Sequence, residues 1–523
     1  MMADLWHFIL SNQTELFGQT IEHLGLTFIS ILIAVMLGIP VGLLATRHEN
    51  ISGPVLGAVG VIQTIPSIAL LGFMLPLLGI GPLPAIAALF LYALLPIVRN
   101  TYSGIKEVDS SVIESARGMG MTDGQILRKV QLPLATPVIF AGIRTATVIN
   151  VGVATLCALI GAGGLGEFIF RGISLNNSVM IMAGALPAAL LALAFDFILG
   201  FLERKASTLL KPLSYGLAVV MIFVSIYAIA TTFNVDTFKA GIPPEFLERA
   251  DGYQGLKEGY ELADMPIVEM NAALTYQALS NGKVDVIVGY STDGRIEAFD
   301  LKVLEDDREY FPPYEAAPIV KRDFMQENPE VIEAVSKLAE KITTRQMISL
   351  NSAVDQGQQA EAEVAKAFLD SLGFKTDIDR QGTPDLLIGG KLQTEQFLLA
   401  HMYQMLIENY TALDVGLRTG LAGTQIVFKA LLNDEIQLYP EYTGTGLHVL
   451  LDAEQDVVDS LSNNAEAVYH YVQEQSKQRF DLQWLKPIGF ENSYALIMRK
   501  KQAGERGIES ISDLSEYLQN SDY

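Results

Sequence analysis

A glycine-rich loop ending in GK[ST] would let a chain cradle nucleotide phosphates, and none occurs in these 523 residues. There is no HExxH, paired CxxC or GxSxG either, and the six histidines are scattered. The sequence therefore offers neither a metal site nor a catalytic centre, and calls for no cofactor. The stretch whose residue types and spacing stand out is Glu114 to Pro133, ESARGMGMTDGQILRKVQLP, a charged and glycine-punctuated segment between long apolar runs. It predicts two short helices, Glu114 to Met119 before Gly120 and Asp123 to Val130 before Pro133, folded back as a hairpin lying on a surface.

The elements that hold this hairpin are membrane spans. Apolar segments at about 22–46, 54–78, 83–100, 134–160, 178–202 and 213–233 are each near or above the roughly 18 to 20 residues that cross a bilayer, which predicts about six spans. No charged residue occurs from Ile51 to Val98, although seven prolines from Pro40 to Pro96 interrupt the region. Prolines are tolerated in a span where packed neighbours or water satisfy the freed backbone groups, in a transport path or in a merely kinked bundle. Residues 1–21 lack any Lys or Arg and read as an interfacial helix rather than a signal peptide.

Basic residues fix the expected orientation. Arg47 follows span one, Arg99, Lys106, Arg117, Arg128 and Lys129 lie between spans three and four, and Arg204, Lys205 and Lys211 lie between spans five and six. Alternate loops carry them, so these loops are expected inside and the remainder of the chain after span six outside. Residues 161–178, GAGGLGEFIFRGISLNNS, predict a tight turn and a short helix in an outer loop, which is either structural or a gate at the external mouth.

Charge separates the two halves. Residues 1–212 carry equal numbers of basic and acidic side chains, so the whole net charge of −23 belongs to the rest, which argues against nucleic acid or anionic lipid as its ligand. That second half alternates short apolar strands (VDVIVGY at 284–290, DLLIGG at 385–390) with amphipathic helices (VIEAVSKLAEKI at 331–342, EQFLLAHMYQMLIE at 395–408), an α/β pattern long enough for two lobes and a cleft. The single cysteine, Cys157, excludes an internal disulfide.

At fixed spacing, Glu114, Ser115, Ala116, Gly120, Val130, Leu132 and Pro133 resemble the EAA signature of ABC importer permeases, with Ser115 and Val130 as mild departures. The resemblance implies a coupling helix that enters a cleft of a cytoplasmic ATPase subunit, with Gly120 permitting the turn, Glu114 and Ala116 at the contact, and Leu132 and Pro133 closing the motif. The acidic half resembles the substrate-binding proteins of osmoprotectant importers for glycine betaine, carnitine and choline, on PPEFLERADGY from Pro243, YSTDGRI from Tyr290, EDDREYFPPYEAAP from Glu305, GGKLQTEQ from Gly389, LAGT from Leu421, EIQLYPEYTGTGL from Glu435 and WLKPIGFENSYAL from Trp484. The order is not the family's: the GGKLQTEQ stretch, which opens the family's domain, here comes late. This reads as a circular permutation, 237–372 corresponding to the family's C-terminal part and 386–523 to its N-terminal part; exchange of half-domains between neighbouring chains and a truncated tandem copy are the alternatives.

A quaternary ammonium donates no hydrogen bond, so ring faces must hold it, each worth roughly 0.5 to 2 kcal/mol where water is excluded. Most of the 19 tyrosines are bland, but by motif Tyr290, Tyr314, Tyr442 and Tyr494 match the family's aromatic cage. The resemblance likewise places Arg249, Lys391 and Thr445 at a ligand carboxylate, with Glu245 and Asn492 as lesser candidates. For Arg249 a helix-surface pair with Glu245, four residues earlier, is the competing reading.

The expected architecture is thus an α-helical permease domain at 1–212, a sixth span and linker at 213–236, and at 237–523 an extracytoplasmic, two-lobed, type II periplasmic-binding-protein-like domain. The expected function is permease and substrate-binding subunit of a plasma-membrane ABC importer for quaternary ammonium solutes, paired as a homodimer, with ATP hydrolysed by a separate subunit. Import of another trimethylammonium zwitterion and a tethered solute sensor that does not transport are the alternatives.

Overall fold

The computed structural model describes residues 2–175, 177–205, 238–249, 251–377, 380, 382–421, 423–461 and 464–520. It divides into two compact units, a helical one drawn mainly from the first 205 residues and an α/β one drawn mainly from residues 238 onward.

In the helical unit, Gln13–Arg47, Pro82–Lys106, Asp123–Ile160 and Ser178–Phe201 are long and apolar enough to cross a membrane. They pack closely because small residues sit where helices meet: a Cβ on Gly142 would stand 2.7 Å from the Pro96 carbonyl oxygen, and one on Gly42 would stand 2.7 Å from Thr101. The exposed Leu186, Leu190, Leu193 and Phe197 form an apolar stripe on the helix Ser178–Lys205.

The expected second span, 54–78, is instead two helices, Glu49–Thr64 and Ser67–Leu78, bent by 100°. The cause is Pro66: the residue before a proline is driven from the helical region, and Ile65 is extended at φ −71°, ψ 127°. The sixth predicted span, 213–233, and the linker that follows it lie outside the described residues. The GAGGLG stretch forms the expected turn, with Gly161, Gly163 and Gly164 all at positive φ, followed by the helix Gly166–Ser174.

The α/β unit has two lobes. In the first, Ala240–Ile242, Val286–Tyr290, Tyr494–Arg499 and Leu301–Val303 lie side by side in that order. In the second the order is Val415–Leu421, Leu386–Lys391, Leu438–Tyr442, Ala316–Lys321 and Leu482–Trp484. The chain passes between lobes twice, at 304–315 and 485–493, and the two crossings pair where Glu315 faces Glu491. Each core draws on both halves of the sequence: Val286, Val288 and Leu304 pack with Leu496, Met498 and Leu514, and Val331 and Leu338 with Leu398 and Leu406. The halves close on one another within a single chain. The strand Tyr494–Arg499 is hydrogen-bonded antiparallel to Val286–Tyr290, setting Tyr494 opposite Tyr290.

Candidate functional site

Strand ends and crossing segments deliver the tyrosines. Tyr290 ends one strand, Tyr494 begins its neighbour, Tyr442 ends a strand of the second lobe, and Tyr314 stands in the crossing segment just before Ala316–Lys321. The Tyr290 and Tyr494 rings are 5.2 Å apart between centroids and tilted by 34°, while Tyr314 meets Tyr494 edge-on at 5.8 Å. Phe246 at 4.8 Å and Phe311 at 6.2 Å back the Tyr494 ring from behind. Gly444 seats Tyr314, since a Cβ there would lie 2.6 Å from its ring.

Together these rings wall a narrow cavity of about 20 Å³ lined by Glu245, Tyr290, Tyr314, Lys391, Gln393, Thr424, Tyr442, Thr445, Asn492 and Tyr494. Eight of the nine residues expected at the ligand are in that lining. The ninth, Arg249, is not: it lies behind the cage with its guanidinium 5.1 Å from the Tyr494 ring centroid.

The two cations are where the structure departs most from expectation. Arg249 was expected to be free for a ligand carboxylate or paired with Glu245. The pair with Glu245 is present, Nη1 to Oε1 at 3.7 Å, and beside it stands a tighter, buried two-pronged pair with Asp251, Nε to Oδ1 at 2.7 Å and Nη2 to Oδ2 at 2.5 Å, so the guanidinium is not free for a ligand carboxylate. The helix Pro244–Glu248 ends just before Arg249, whose extended backbone (φ −73°, ψ 149°) turns its side chain toward the acid two residues on. Burial pushes the Asp251 carboxyl up, but the guanidinium more than offsets this and holds it below the usual range. Lys391 does line the cavity, yet its Nζ is 2.5 Å from Oε1 of the fully buried Glu441. Two of its three N–H groups remain for a ligand.

Three buried acids behind the lining were not anticipated: Asp251, Glu441 and Glu395. Glu395 receives Tyr442 Oη at 2.5 Å and Asn492 Nδ2 at 3.0 Å on one oxygen, and Thr292 Oγ1 at 2.7 Å and Asn351 Nδ2 at 3.3 Å on the other. Burial holds its carboxyl above the usual glutamate range, against the pull of these four donors. All three lie within motifs already singled out, ERADGY, LQTEQ and YPEY, and only their burial was hidden. Gln393, from LQTEQ, and Thr424, from LAGT, complete the lining.

In the other unit, the hairpin runs Ser110–Gly118, a turn at Gly120 (φ +80°), then Asp123–Ile126 and a π-turn over Leu127–Gln131. Asp109 caps the first limb through Ser111 N–H, and Thr122 with Gln125 forms a capping box on the second. Glu114 and Gly120 are exposed, as are Val112 and Met119, and Leu132 is half-buried. Ala116 was expected at the contact with a partner; it is buried, as is Ile126 on the other limb, and so serves the packing of the hairpin. Pro133 was expected to end the helix. The π-turn lets the chain pass from Asp123 to Ile160 without a break, Leu132 N–H bonding to Leu127 O.

Sequence reasoning also missed an ion cluster between two spans. Arg144 grips Asp196 with two bonds of 2.7 and 2.8 Å and reaches Glu203 at 3.2 Å, with the Arg144 and Asp196 side chains 35% and 44% exposed. The signal was present, since charges inside apolar runs are rare enough to single out.

Residues 215–371 and 384–522 match the family described as the substrate binding domain of ABC-type glycine betaine transport systems, and residues 21–208 match the inner membrane component of binding-protein-dependent transport systems. The chain belongs to the ABC-type glycine betaine transport family. The permease portion is 46% identical over 204 residues to the choline transport system permease protein OpuBB of Bacillus subtilis, covering 39% of this chain and 94% of the relative. It is 45% identical over 206 residues to the glycine betaine/carnitine/choline permease OpuCB of the same organism (39% and 95%) and 47% over 205 residues to the osmoprotectant import permease OsmW of Salmonella typhimurium (38% and 95%). Within this family the protein is a multi-pass membrane component with a role in transport, and it fuses permease and binding domains in one chain.

Proposed function

We propose that this chain captures quaternary ammonium compatible solutes, of which glycine betaine, carnitine and choline are the prime candidates, and passes them through the membrane as the permease and binding subunit of an ATP-driven importer. The observation that carries this is the tyrosine-walled cavity, whose narrow lining gathers Tyr290, Tyr314, Tyr442 and Tyr494 from both halves of the α/β unit, the ring faces a quaternary ammonium needs. Lys391, Thr445 and Asn492 would meet the polar end of the ligand. A separate ATPase would dock on the hairpin through Glu114, Val112 and Met119, with Gly120 shaping the turn; apolar side chains exposed on a charged hairpin support such a contact. The half-exposed Arg144–Asp196 pair, expensive against lipid, supports two copies of the chain pairing around one path. The α/β unit belongs outside the plasma membrane.

The binding domain is read as a circular permutant. The break in the family match at 372–383 supports this, as does the packing of Tyr517, near the chain's end, on Phe238 at the domain's start, centroids 5.9 Å apart. Calorimetric titration of the purified full chain with glycine betaine, carnitine and choline tests the ligand reading, and binding of none of them would refute it. Ligand-stimulated ATP hydrolysis in the reconstituted complex separates an importer from a tethered sensor.

A further inference from the structure

Two of the four cage tyrosines spend their hydroxyls on carboxylates outside the cavity. Tyr442 donates to Glu395 Oε1 at 2.5 Å, and Tyr314 donates to Asp251 Oδ2. Both acids are almost completely buried and neither is in the lining of the tyrosine cavity, although Glu395 borders the adjoining pocket with Thr292, Asn351 and Asn492. Asp251 has Arg249 as its counter-charge. Glu395 has none: among the described residues no Lys, Arg or His makes an ion pair with it, and only neutral donors hold it. Burying a carboxylate without a counter-ion is costly, and four hydrogen bonds offset only part of that cost.

The position of Glu395 says where a counter-charge would come from. One oxygen is bonded to Tyr442 and Asn492, both of which line the cavity, so a cation there is separated from the carboxylate by one phenol ring. Thr292 and Asn351 hold the other oxygen, which keeps the group from swinging into the cavity itself. A phenol that donates to a carboxylate acquires partial phenolate character, and its ring face grows more negative. Lys391 Nζ, 5.3 Å from the Tyr442 centroid, pulls the other way, but Glu441 already neutralises it.

We propose that Glu395 is a positioning residue that acts through Tyr442 as the buried counter-charge for the ligand's quaternary ammonium, with Asp251 and Tyr314 as a weaker second relay. The site thereby selects for positive charge and not merely for the shape of three methyl groups. This rests on the reading of the cavity as a quaternary ammonium site.

The test compares matched ligands on the full-length protein in lipid nanodiscs: choline and glycine betaine, each against its carbon isostere with the ammonium nitrogen replaced by carbon. The dissociation constant for each pair is measured by calorimetry in the wild type, Glu395→Gln, Tyr442→Phe and the double variant. The wild type is expected to prefer the ammonium member. Either single variant should reduce that preference about fivefold, the scale of a desolvated ring–cation contact, and the double variant should reduce it no further. Asn351 and Asn492, whose Oδ1 atoms have no hydrogen-bond partner among the described residues, can turn to accept from a new Gln amide, and Tyr442→Phe probes the same link should Glu395→Gln fold poorly. An unchanged preference, with both members of a pair weakened alike, would reduce Glu395 to a structural role and overturn the relay, as would additive losses in the double variant. A wild type with no preference for the ammonium member in either pair would overturn the quaternary ammonium reading itself.

Discussion

The hairpin at residues 110–131 and the tyrosine cage, each proposed here to serve a partner, are held in shape by different means. In the hairpin, the Asp109 and Thr122 caps and the left-handed Gly120 set the turn within a few residues of one another, and side chains such as Met119 point outward. In the cage, Tyr290 and Tyr494 meet because strands from the two ends of the α/β unit pair in register, and Tyr314, Tyr442 and Tyr494 are each supported by a buried acid or aromatic outside the cage. A local device fails locally and leaves the other region untouched. A non-local one has partners whose loss is felt at the ligand without touching it.

The largest expected effect breaks the hairpin alone. Among the described residues nothing lies within 4 Å of a Cβ placed on Gly120, so substitution there meets no steric barrier from them, only the cost of holding a side chain at φ +80°. For a β-branched residue that cost exceeds the roughly 1 to 2 kcal/mol of an ordinary left-handed residue. Gly120→Val is expected to lower uptake in proteoliposomes with the ATPase by about tenfold or more, while ligand affinity stays at the wild-type value. Gly120→Asn, which tolerates this conformation, should recover much of the loss. If the Val variant transports normally, the hairpin is not the coupling element.

Next comes the cage. Replacing Tyr290, Tyr314, Tyr442 or Tyr494 by Ala is expected to weaken choline and glycine betaine alike by about five- to thirtyfold, the loss of one ring face. Tyr290→Phe should cost less, because the ring remains, whereas Tyr442→Phe retains the ring but loses its carboxylate partner and should fall between. Titration calorimetry on the four Ala variants decides; four unchanged affinities would remove the site.

The cations sharpen the comparison within the binding unit. Lys391 lines the cavity, so Lys391→Met should weaken glycine betaine more than choline, by about five- to tenfold, the scale of a charge-assisted bond already shared with Glu441. Arg249 does not line it. Arg249→Ala should strand the buried Asp251, lower the melting temperature and weaken both ligands equally. Equal losses in Lys391→Met, or a selective loss in Arg249→Ala, would exchange their assignments.

These differences also mark what a sequence can disclose. The hairpin was legible down to its turn because its determinants are local, apart from Pro133, which a π-turn absorbs, and Ala116, which packs inward. The convergence of the four tyrosines was legible by motif, since eight of the nine residues expected at a ligand line one cavity. What stayed hidden depends on where a chain goes after leaving an element. Helical spacing pairs Arg249 with Glu245, and that pair forms, but the helix stops one residue before Arg249 and Asp251 takes the closer grip on the guanidinium. The span at 54–78 reads as continuous by hydropathy, and only the constraint that Pro66 places on Ile65 breaks it. Glu395 lay within a quoted motif as an ordinary acid at the start of a helix; its burial is set by Thr292, Asn351 and Asn492, none of which its own stretch contains.

The smallest expected effect is a dependence on pH. Burial raises the Glu395 carboxyl above the ordinary glutamate value, so the folded protein takes up this proton more readily than the unfolded chain does. Its contribution to stability is therefore full below the ordinary glutamate pKa and is lost as pH rises through the raised one. A bound ammonium works in the opposite direction, because it favours the carboxylate. Affinity for choline should thus fall by about two- to threefold as the pH drops through the raised Glu395 value toward the ordinary carboxylate range, with protons taken up as ligand leaves. Asp251 stays ionised through that window, since Arg249 holds its carboxyl low. The carbon isostere of choline should show no such decline, and neither should choline with Glu395→Gln. Calorimetric titrations of both ligands from neutral pH downward make the check, and parallel profiles for choline and its isostere would mean that the titrating group acts on the fold and not on the ligand's charge.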